Sequence, residues 1–251
     1  MHWRCSNIIG SYVEASDGRV GSIDDLLFDD RHWTIRWAVI DTGTWLSSRK
    51  VLLPPSQFRR PDASLWQFRV DLDREHVRAS PKLDTDLPVS RQMETEIYKH
   101  YTWRPYWHGS DATPFGGIPP ATTATIEPSP GILRDVDERP SGDPHLRSIK
   151  EVTGYYIHAT DKPIGHVEDF LLAADHWKIT YLVVDTSNWW PGRKVIVSPD
   201  WAQMISWSEH SVQLGLSRNQ VQNSPTFNPD SPITREYEHR LWGYYGFPPL
   251  T

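Results

Sequence analysis

Residues 10–55 read GSYVEASDGRVGSIDDLLFDDRHWTIRWAVIDTGTWLSSRKVLLPP, and residues 154–199 read GYYIHATDKPIGHVEDFLLAADHWKITYLVVDTSNWWPGRKVIVSP. The two stretches align without a gap at an offset of 144 positions. Isolated matches continue at the same offset to the end of the chain, so the repeat covers residues 10–107 and 154–251. A period of this length exceeds that of solenoid repeats and indicates two whole domains.

Each copy carries the pattern of several short strands. In residues 35–41 the side chains alternate, with Ile35, Trp37 and Val39 on one face, and residues 179–185 repeat the alternation. Turns rich in Gly, Pro and Asp separate these segments. This combination predicts a small antiparallel β-barrel in each copy.

One helix is predicted late in each copy. Met93, Ile97 and Tyr101 follow one another at the i, i+4, i+8 spacing of a helical stripe, and the second copy repeats the stripe from Tyr237 to Tyr245. Because the rest of each copy reads as strands and turns, the chain is predicted to be mainly β.

The chain divides into three segments. Residues 1–107 hold the first barrel and its helix, residues 108–148 form a linker rich in Pro, Gly, Thr and Ser, and residues 149–251 hold the second barrel and its helix. An aromatic arm follows each helix, at 101–107 and at 244–250. We expect these arms to pack within the chain, because so many aromatic side chains are rarely left in water.

Composition and charge exclude several classes of function. The formal net charge is 0 for residues 1–107, −3 for 108–148 and −3 for 149–251, so neither copy is the polycation that nucleic-acid binding favours. The single cysteine, Cys5, has no counterpart in the second copy, which excludes a disulfide framework. No stretch approaches the ~20 apolar residues of a membrane span, so we expect a cytoplasmic protein without direct membrane insertion.

A set of glycine, aspartate and apolar positions, followed by a Lys-to-Pro segment, recurs in the two copies. These residues are Gly10, Val13, Asp17, Gly18, Gly21, Ile23, Asp25, Leu26 and Lys50–Pro54, with Gly154, Ile157, Asp161, Gly165, Val167, Asp169, Phe170 and Lys194–Pro199 in the second copy. In these residues the chain resembles the PRC-barrel domain over residues 9–72 and 153–216. That family includes the cytoplasmic domain of the photosynthetic reaction-centre H subunit and the C-terminal domain of the ribosome maturation factor RimM. The resemblance implies two homologous small antiparallel PRC-type barrels that dock on other macromolecules.

A predicted hairpin in each copy carries the candidate partner-binding residues. A tryptophan at a hairpin tip between basic residues has the composition of an interaction hot spot, although such a ring can also fold back as a lid over its own barrel. The candidates are Trp45, Arg49, Lys50, Trp189, Trp190, Arg193 and Lys194.

Four acidic residues are candidates for other roles. Asp41 and Asp185 end a strand, and we interpret them as structural clamps that bind turn amides or the nearby arginine; a general base is the alternative. Asp25 and Asp169 stand next to a second acidic residue, so on a strand the two neighbours point to opposite faces and cannot act as a catalytic pair. We interpret Asp25 and Asp169 as solvated or turn-bonding.

No motif in the chain indicates an enzyme. The copies share no Ser–His–Asp or Cys–His set, and there is no phosphate-binding glycine loop. The two copies have one histidine position in common, His32 in the first and His176 in the second. One histidine per copy supplies too few ligands for a metal site. We therefore expect no catalytic residue, no metal and no cofactor.

The sequence thus favours a non-enzymatic protein-interaction or assembly module. Its partner would be a protein complex, with a membrane-associated or photosynthetic complex suggested by the resemblance alone. The two copies are expected to form an intramolecular pseudo-dimer. Two alternatives stay open, a small-ligand-binding protein or enzyme acting in the cleft between the barrels, and a RimM-like factor associated with ribosomes or RNA.

Overall fold

The computed structural model describes residues 2–47, 49–59, 67–81, 89, 91–103, 145–186 and 193–246. It is mainly β, as predicted, with a sheet curled into a half-barrel. The strands are β1 His2–Arg4, β2 Tyr12–Ala15, β3 Gly18–Asp29, β4 Thr34–Asp41, β5 Lys50–Leu53, β6 Gln67–Arg69, β7 Leu146–Ser148, β8 Tyr156–His158, β9 Pro163–Ala173, β10 Lys178–Asp185, β11 Lys194–Val197, β12 Ala202–Ser206 and β13 Ser211–Leu214. The helices are α1 Cys5–Ile8, α2 Arg74–Ala79, α3 Arg91–His100, α4 Ile149–Val152, α5 Arg218–Gln222 and α6 Arg235–Tyr245.

The same order of elements occurs in both halves of the chain. β1, α1, β4 and β5 have the bounds of β7, α4, β10 and β11 after a shift of 144 residues. The correspondence includes residues 2–8 and 146–152, whose sequences HWRCSNI and LRSIKEV share no residue at any position. The structural repeat therefore begins earlier than the sequence repeat. Leu146–Ser148, the last residues of the predicted linker, form a strand.

The two halves share one continuous sheet. Its described part has 13 strands, and β4 meets β10 where Thr34 pairs with Lys178. The Ile35 amide donates to the Trp177 carbonyl at 2.9 Å, and the Ile179 amide donates to the Trp33 carbonyl at 2.7 Å. These reciprocal hydrogen bonds place the halves side by side.

Both tryptophans at this junction have a left-handed backbone. The φ angle is 54° at Trp33 and 53° at Trp177, a conformation that costs a bulky residue roughly 1–2 kcal/mol. Packing offsets this cost, since the Trp33 ring stacks on Phe28 with centroids 5.4 Å apart. In this conformation the backbone carbonyl of each tryptophan faces the other half, where it accepts the junction hydrogen bond.

The first strand of each half is exchanged. β1 pairs with β9 of the second half, with Trp3 opposite Leu172, and β7 pairs with β3 of the first half, with Arg147 opposite Phe28. Each half thus completes its sheet with a strand that belongs in sequence to the other half.

The exchange explains the roles of Asp25 and Asp169. Asp169 accepts hydrogen bonds from Arg4 Nε at 2.8 Å and from Ser6 Oγ at 2.6 Å. Asp25 accepts from Ser148 Oγ at 2.5 Å and from the Lys150 amide at 3.1 Å. The interpretation of these carboxylates as solvated or turn-bonding was therefore wrong, because the exchanged segment comes from a distant part of the chain.

The predicted late helices are α3 and α6, and each is fixed to the central strand of its half by a polar contact. In the first half Trp37 Nε1 donates to Glu94 Oε1 at 2.6 Å. In the second half Trp242 Nε1 donates to the Tyr181 hydroxyl, which donates to Glu238, both at 3.1 Å. Glu94 and Glu238 stand at equivalent positions of the two copies. The tryptophan lies on a strand in the first half (Trp37) and on the helix in the second half (Trp242). This polar contact holds each helix at a fixed place on the sheet of its half.

Four short helices, α1, α2, α4 and α5, were not predicted. α2 is capped by the Asp73 side chain and α5 by Ser217, and each buries one valine, Val77 or Val221. In the part of the chain that the structure describes, no helix is both long enough and apolar enough to cross a membrane.

We expect Asp25 and Asp169, the two carboxylates that bind the exchanged segments, to differ in their contribution to stability. Asp169→Asn removes the nearer counter-charge of the half-buried Arg4 and leaves it only Glu168 at 3.9 Å, so the free energy of unfolding should fall by about 2–3 kcal/mol. Burial raises the pKa of Asp25, so its charged form is disfavoured, and Asp25→Asn should cost less than about 1 kcal/mol near neutral pH. Urea denaturation followed by tryptophan fluorescence measures both values.

The difference in stability between wild type and Asp25→Asn should depend on pH. A folded-state pKa above the unfolded value means that protonation of Asp25 favours the folded state, so wild type gains stability relative to Asp25→Asn as the pH falls from 7 to about 4. Equal losses in the two variants, or no change of their difference with pH, would contradict this account.

Candidate functional site

The candidate hairpin of the first half lies between β4 and β5. Trp45 is half-buried, its Nε1 donates to the Val20 carbonyl, and the Arg74 guanidinium lies 4.4 Å from its ring centroid. The ring thus packs on its own half, in the arrangement of a lid. Trp189 and Trp190, its counterparts, lie outside the described residues.

The candidate arginines bind backbone carbonyls within the fold. Arg49 donates to the Arg78 carbonyl at 3.0 Å and to the Ser80 carbonyl. Arg193 donates to the Ser224 carbonyl at 2.5 Å, the equivalent contact in the second half. Both guanidinium groups therefore tie the hairpin to the end of the short helix that follows the barrel.

The candidate lysines form ion pairs. Lys50 Nζ lies 2.9 Å from Asp24, a hydrogen bond that raises the pKa of this lysine, and Lys150 from the exchanged segment binds the same carboxylate at 2.6 Å. Lys194 pairs with Glu168 at the matching place. The four candidate cations, Arg49, Lys50, Arg193 and Lys194, thus all form contacts within the chain.

Asp41 stabilises the hairpin turn through its side chain and its carbonyl. Its Oδ1 accepts from the Gly43 amide at 2.8 Å. Its carbonyl oxygen approaches Gly21 so closely that a Cβ on that glycine would lie 2.0 Å from it, and the Asp185 carbonyl is equally close to Gly165. Only glycine fits there, which explains why both copies keep it.

Two tyrosines that sequence reasoning passed over are exposed at equivalent positions. Tyr12 on β2 is 49% exposed and Tyr156 on β8 is 58% exposed. The Arg19 guanidinium lies 3.4 Å from the Tyr12 ring centroid. The alternation on β2 could have revealed this, since the neighbouring Val13 is buried and Tyr12 must face outward.

A cavity of about 480 Å³ lies between the halves. Trp3, Phe58 and Trp177 contribute aromatic walls, and Arg59 and Asp175 contribute charged groups. Residues of both halves therefore converge on one concave site.

The histidine shared by the copies has a local role in the first half. His32 Nδ1 lies 2.7 Å from Asp29 Oδ2, within the turn between β3 and β4. Among the described residues, no group of three or more His, Cys, Asp or Glu side chains is placed to hold a metal ion.

This geometry defines a small curled β-domain with a close glycine–carbonyl contact. Its strands pair antiparallel except β2 and β6, which run parallel, so the predicted purely antiparallel barrel was wrong at this edge. Residues 3–77 match the PRC-barrel domain, so the chain contains one PRC-barrel domain there. The resemblance is thereby confirmed for this segment, which runs from β1 to α2. Comparison with curated proteins gives no match.

Gly21→Ala tests the close approach to the Asp41 carbonyl. We expect a loss of at least about 3 kcal/mol in the free energy of unfolding, since backbone must move to admit the methyl group. Gly243→Ala in α6 is the control, because its Cβ meets nothing within 4 Å, and it should stabilise by up to about 1 kcal/mol. Thermal and urea unfolding report both changes, and similar values for the two variants would refute the steric argument.

Arg49→Ala tests whether this arginine acts within the fold. Loss of its two carbonyl contacts should lower stability by about 1–3 kcal/mol. Lys50→Ala breaks a partly exposed ion pair and should cost less than about 1 kcal/mol. If Arg49→Ala unfolded at the wild-type urea concentration, its assignment to the fold would be wrong.

Proposed function

We propose that the chain is a non-enzymatic docking module in which both halves are PRC-type barrels joined as an intramolecular pseudo-dimer. Support for a second barrel comes from the 144-residue repeat and from the matching bounds of the strands. Support for joining comes from the exchanged strands β1 and β7. A PRC-barrel domain often serves protein interactions, which makes a protein complex, including a membrane-associated or photosynthetic one, the favoured class of partner.

The observation that carries this proposal is the matched exposure of Tyr12 and Tyr156. A single exposed tyrosine is common on any surface, but exposure at the same position of both halves marks two related patches, which differ in that Pro163 stands at the position of Arg19. Tyrosine and arginine are enriched at interface hot spots, and Arg19 covers the Tyr12 ring.

The positions of these patches favour bivalent docking. β8 and β2 occupy equivalent places on the two flanks of the common sheet, on either side of the junction of β10 with β4. Because the halves are joined through backbone hydrogen bonds, the distance between the patches is fixed. Two weak contacts at a fixed distance can give strong binding to one symmetric partner, or bridge two copies of it.

The test is affinity capture with crosslinking from the source cells, using Tyr12→Ala, Tyr156→Ala and the double variant. Bivalent docking predicts partial loss in each single variant and at least about a hundredfold loss of retained partner in the double variant. Met204→Ala removes another exposed apolar side chain and should leave capture unchanged. Undiminished capture by the double variant would reject these patches, and the same experiment with Trp45→Ala would then test the hairpin.

A second candidate function is the binding of a small ligand between the halves. The specific observation in its favour is the cavity beside Trp177, which receives side chains from both halves.

A further inference from the structure

The two exposed tyrosines differ in what lies over their rings. In the first half the guanidinium carbon of Arg19 lies 3.4 Å from the centroid of the Tyr12 ring. In the second half Pro163 stands at the position of Arg19. Arg19 pairs with Glu14 across β2 and β3, and Pro163 pairs with the equivalent residue across β8 and β9. Because the strand pairing is the same at both places, the difference lies in the side chains.

The Tyr156 ring is open to solvent. This residue is 58% exposed, compared with 49% for Tyr12. In the part of the chain that the structure describes, neither Lys162, which precedes Pro163, nor any arginine lies over the Tyr156 ring. The face of a tyrosine ring is the negative part of its quadrupole, so an uncovered face attracts a cation from another molecule.

The Tyr12 ring indicates which group this surface accepts. Arg19 is an exposed residue, and its side chain nevertheless lies on the ring of Tyr12. A guanidinium is planar and more weakly hydrated than an ammonium, which suits contact with an aromatic face. The first half thus holds, within the chain, a guanidinium at the place that is open in the second half.

Acidic side chains lie on both flanks of Tyr156. On one flank His166 is the strand partner of Tyr156, and its Nε2 lies 3.7 Å from Asp185 Oδ2. On the other flank Ser211 is the strand partner, and its Oγ lies 3.5 Å from Glu209 Oε2. The second copy also has a formal net charge of −3, whereas that of the first copy is zero. These charges favour a cationic partner over an anionic one.

We propose that Tyr156 binds an arginine side chain of a protein partner, in the arrangement that Arg19 has on Tyr12. The exposed face of the ring receives the guanidinium, since Pro163 is too short to cover it. The carboxylates on the two flanks add attraction for a basic segment, most strongly at low salt. This inference rests on the proposed docking function and names the chemistry of the partner at one of the two patches. At the other patch the partner meets the arginine of the chain itself.

NMR of the aromatic side chains in the full chain tests the proposal, with a peptide of four Gly-Arg repeats as the probe. The ring signals of Tyr156 should shift to saturation as the peptide is added. A peptide of four Gly-citrulline repeats has nearly the same shape without the charge, and it should bind at least about fivefold more weakly. A peptide of four Gly-Lys repeats should bind more weakly than the arginine peptide, because an ammonium is more strongly hydrated than a guanidinium.

Pro163→Arg places in the second half the arginine that covers Tyr12 in the first. Its guanidinium should cover the Tyr156 ring, and the affinity for the arginine peptide should fall at least about fivefold. Pro163→Gln is the matched control, since it removes the same proline without adding a charge. It should bind the peptide as wild type does and share the melting temperature of Pro163→Arg. Arg19→Gln is the reciprocal variant, which uncovers Tyr12, so the ring signals of Tyr12 should then also respond to the peptide.

Three results would each overturn the proposal. They are equal binding of the citrulline or lysine peptide, no shift of the Tyr156 signals up to millimolar arginine peptide, and undiminished binding in Pro163→Arg. Partner capture separates the proposal from the docking function. Capture that is lost in Tyr156→Ala but retained in Pro163→Arg would keep docking and reject arginine as the bound group. Failure of capture in wild type would reject docking, whereas peptide binding would still establish the arginine site.

Discussion

The backbone contact between β4 and β10 is the constraint on which the remaining structure depends. Its two hydrogen bonds, from Ile35 and Ile179, contribute only about 0.5–1.5 kcal/mol each. Their importance is positional, because they bring each half within reach of the other's first strand. The exchanged strands then bury Trp3 and Leu146, and burial of such apolar side chains stabilises the pair far more than the junction itself. The left-handed conformation of Trp33 and Trp177 is maintained by this packing.

Much of the fold could be predicted from the sequence, because side-chain patterns encode it. Alternation in residues 35–41 gave the central strand, the stripe from Met93 to Tyr101 gave the late helix, and the glycine and aspartate spacing gave the resemblance now found for residues 3–77. The exchanged strands could not be predicted. Strand pairing uses backbone groups that every residue has, and residues 2–8 and 146–152 share no side chain that would mark them as equivalent.

The candidate site was less predictable, since an interaction hot spot and an internal clamp have the same composition. Tryptophan beside arginine and lysine is typical of both, and only coordinates show that Arg49 binds the Ser80 carbonyl and that Trp45 donates to Val20. When both copies of a repeat keep a residue, the first explanation is that the shared fold requires it. Residues that differ between the copies, such as Ala174 against Asp30, are not set by that shared requirement, and their roles depend on neighbours that are distant in sequence.

The covalent repeat also changes what mutation can achieve. In a symmetric dimer of identical subunits, every substitution appears twice, so a charged corner cannot be lost on one side and kept on the other. Two similar halves in one polypeptide are free of that restriction. Arg147 of β7 donates to Asp30 at 2.8 Å, whereas Trp3 and Ala174 stand at the equivalent positions of the other corner. A single chain can therefore hold one corner by charge and the other by aromatic packing, which a symmetric dimer of identical subunits cannot do.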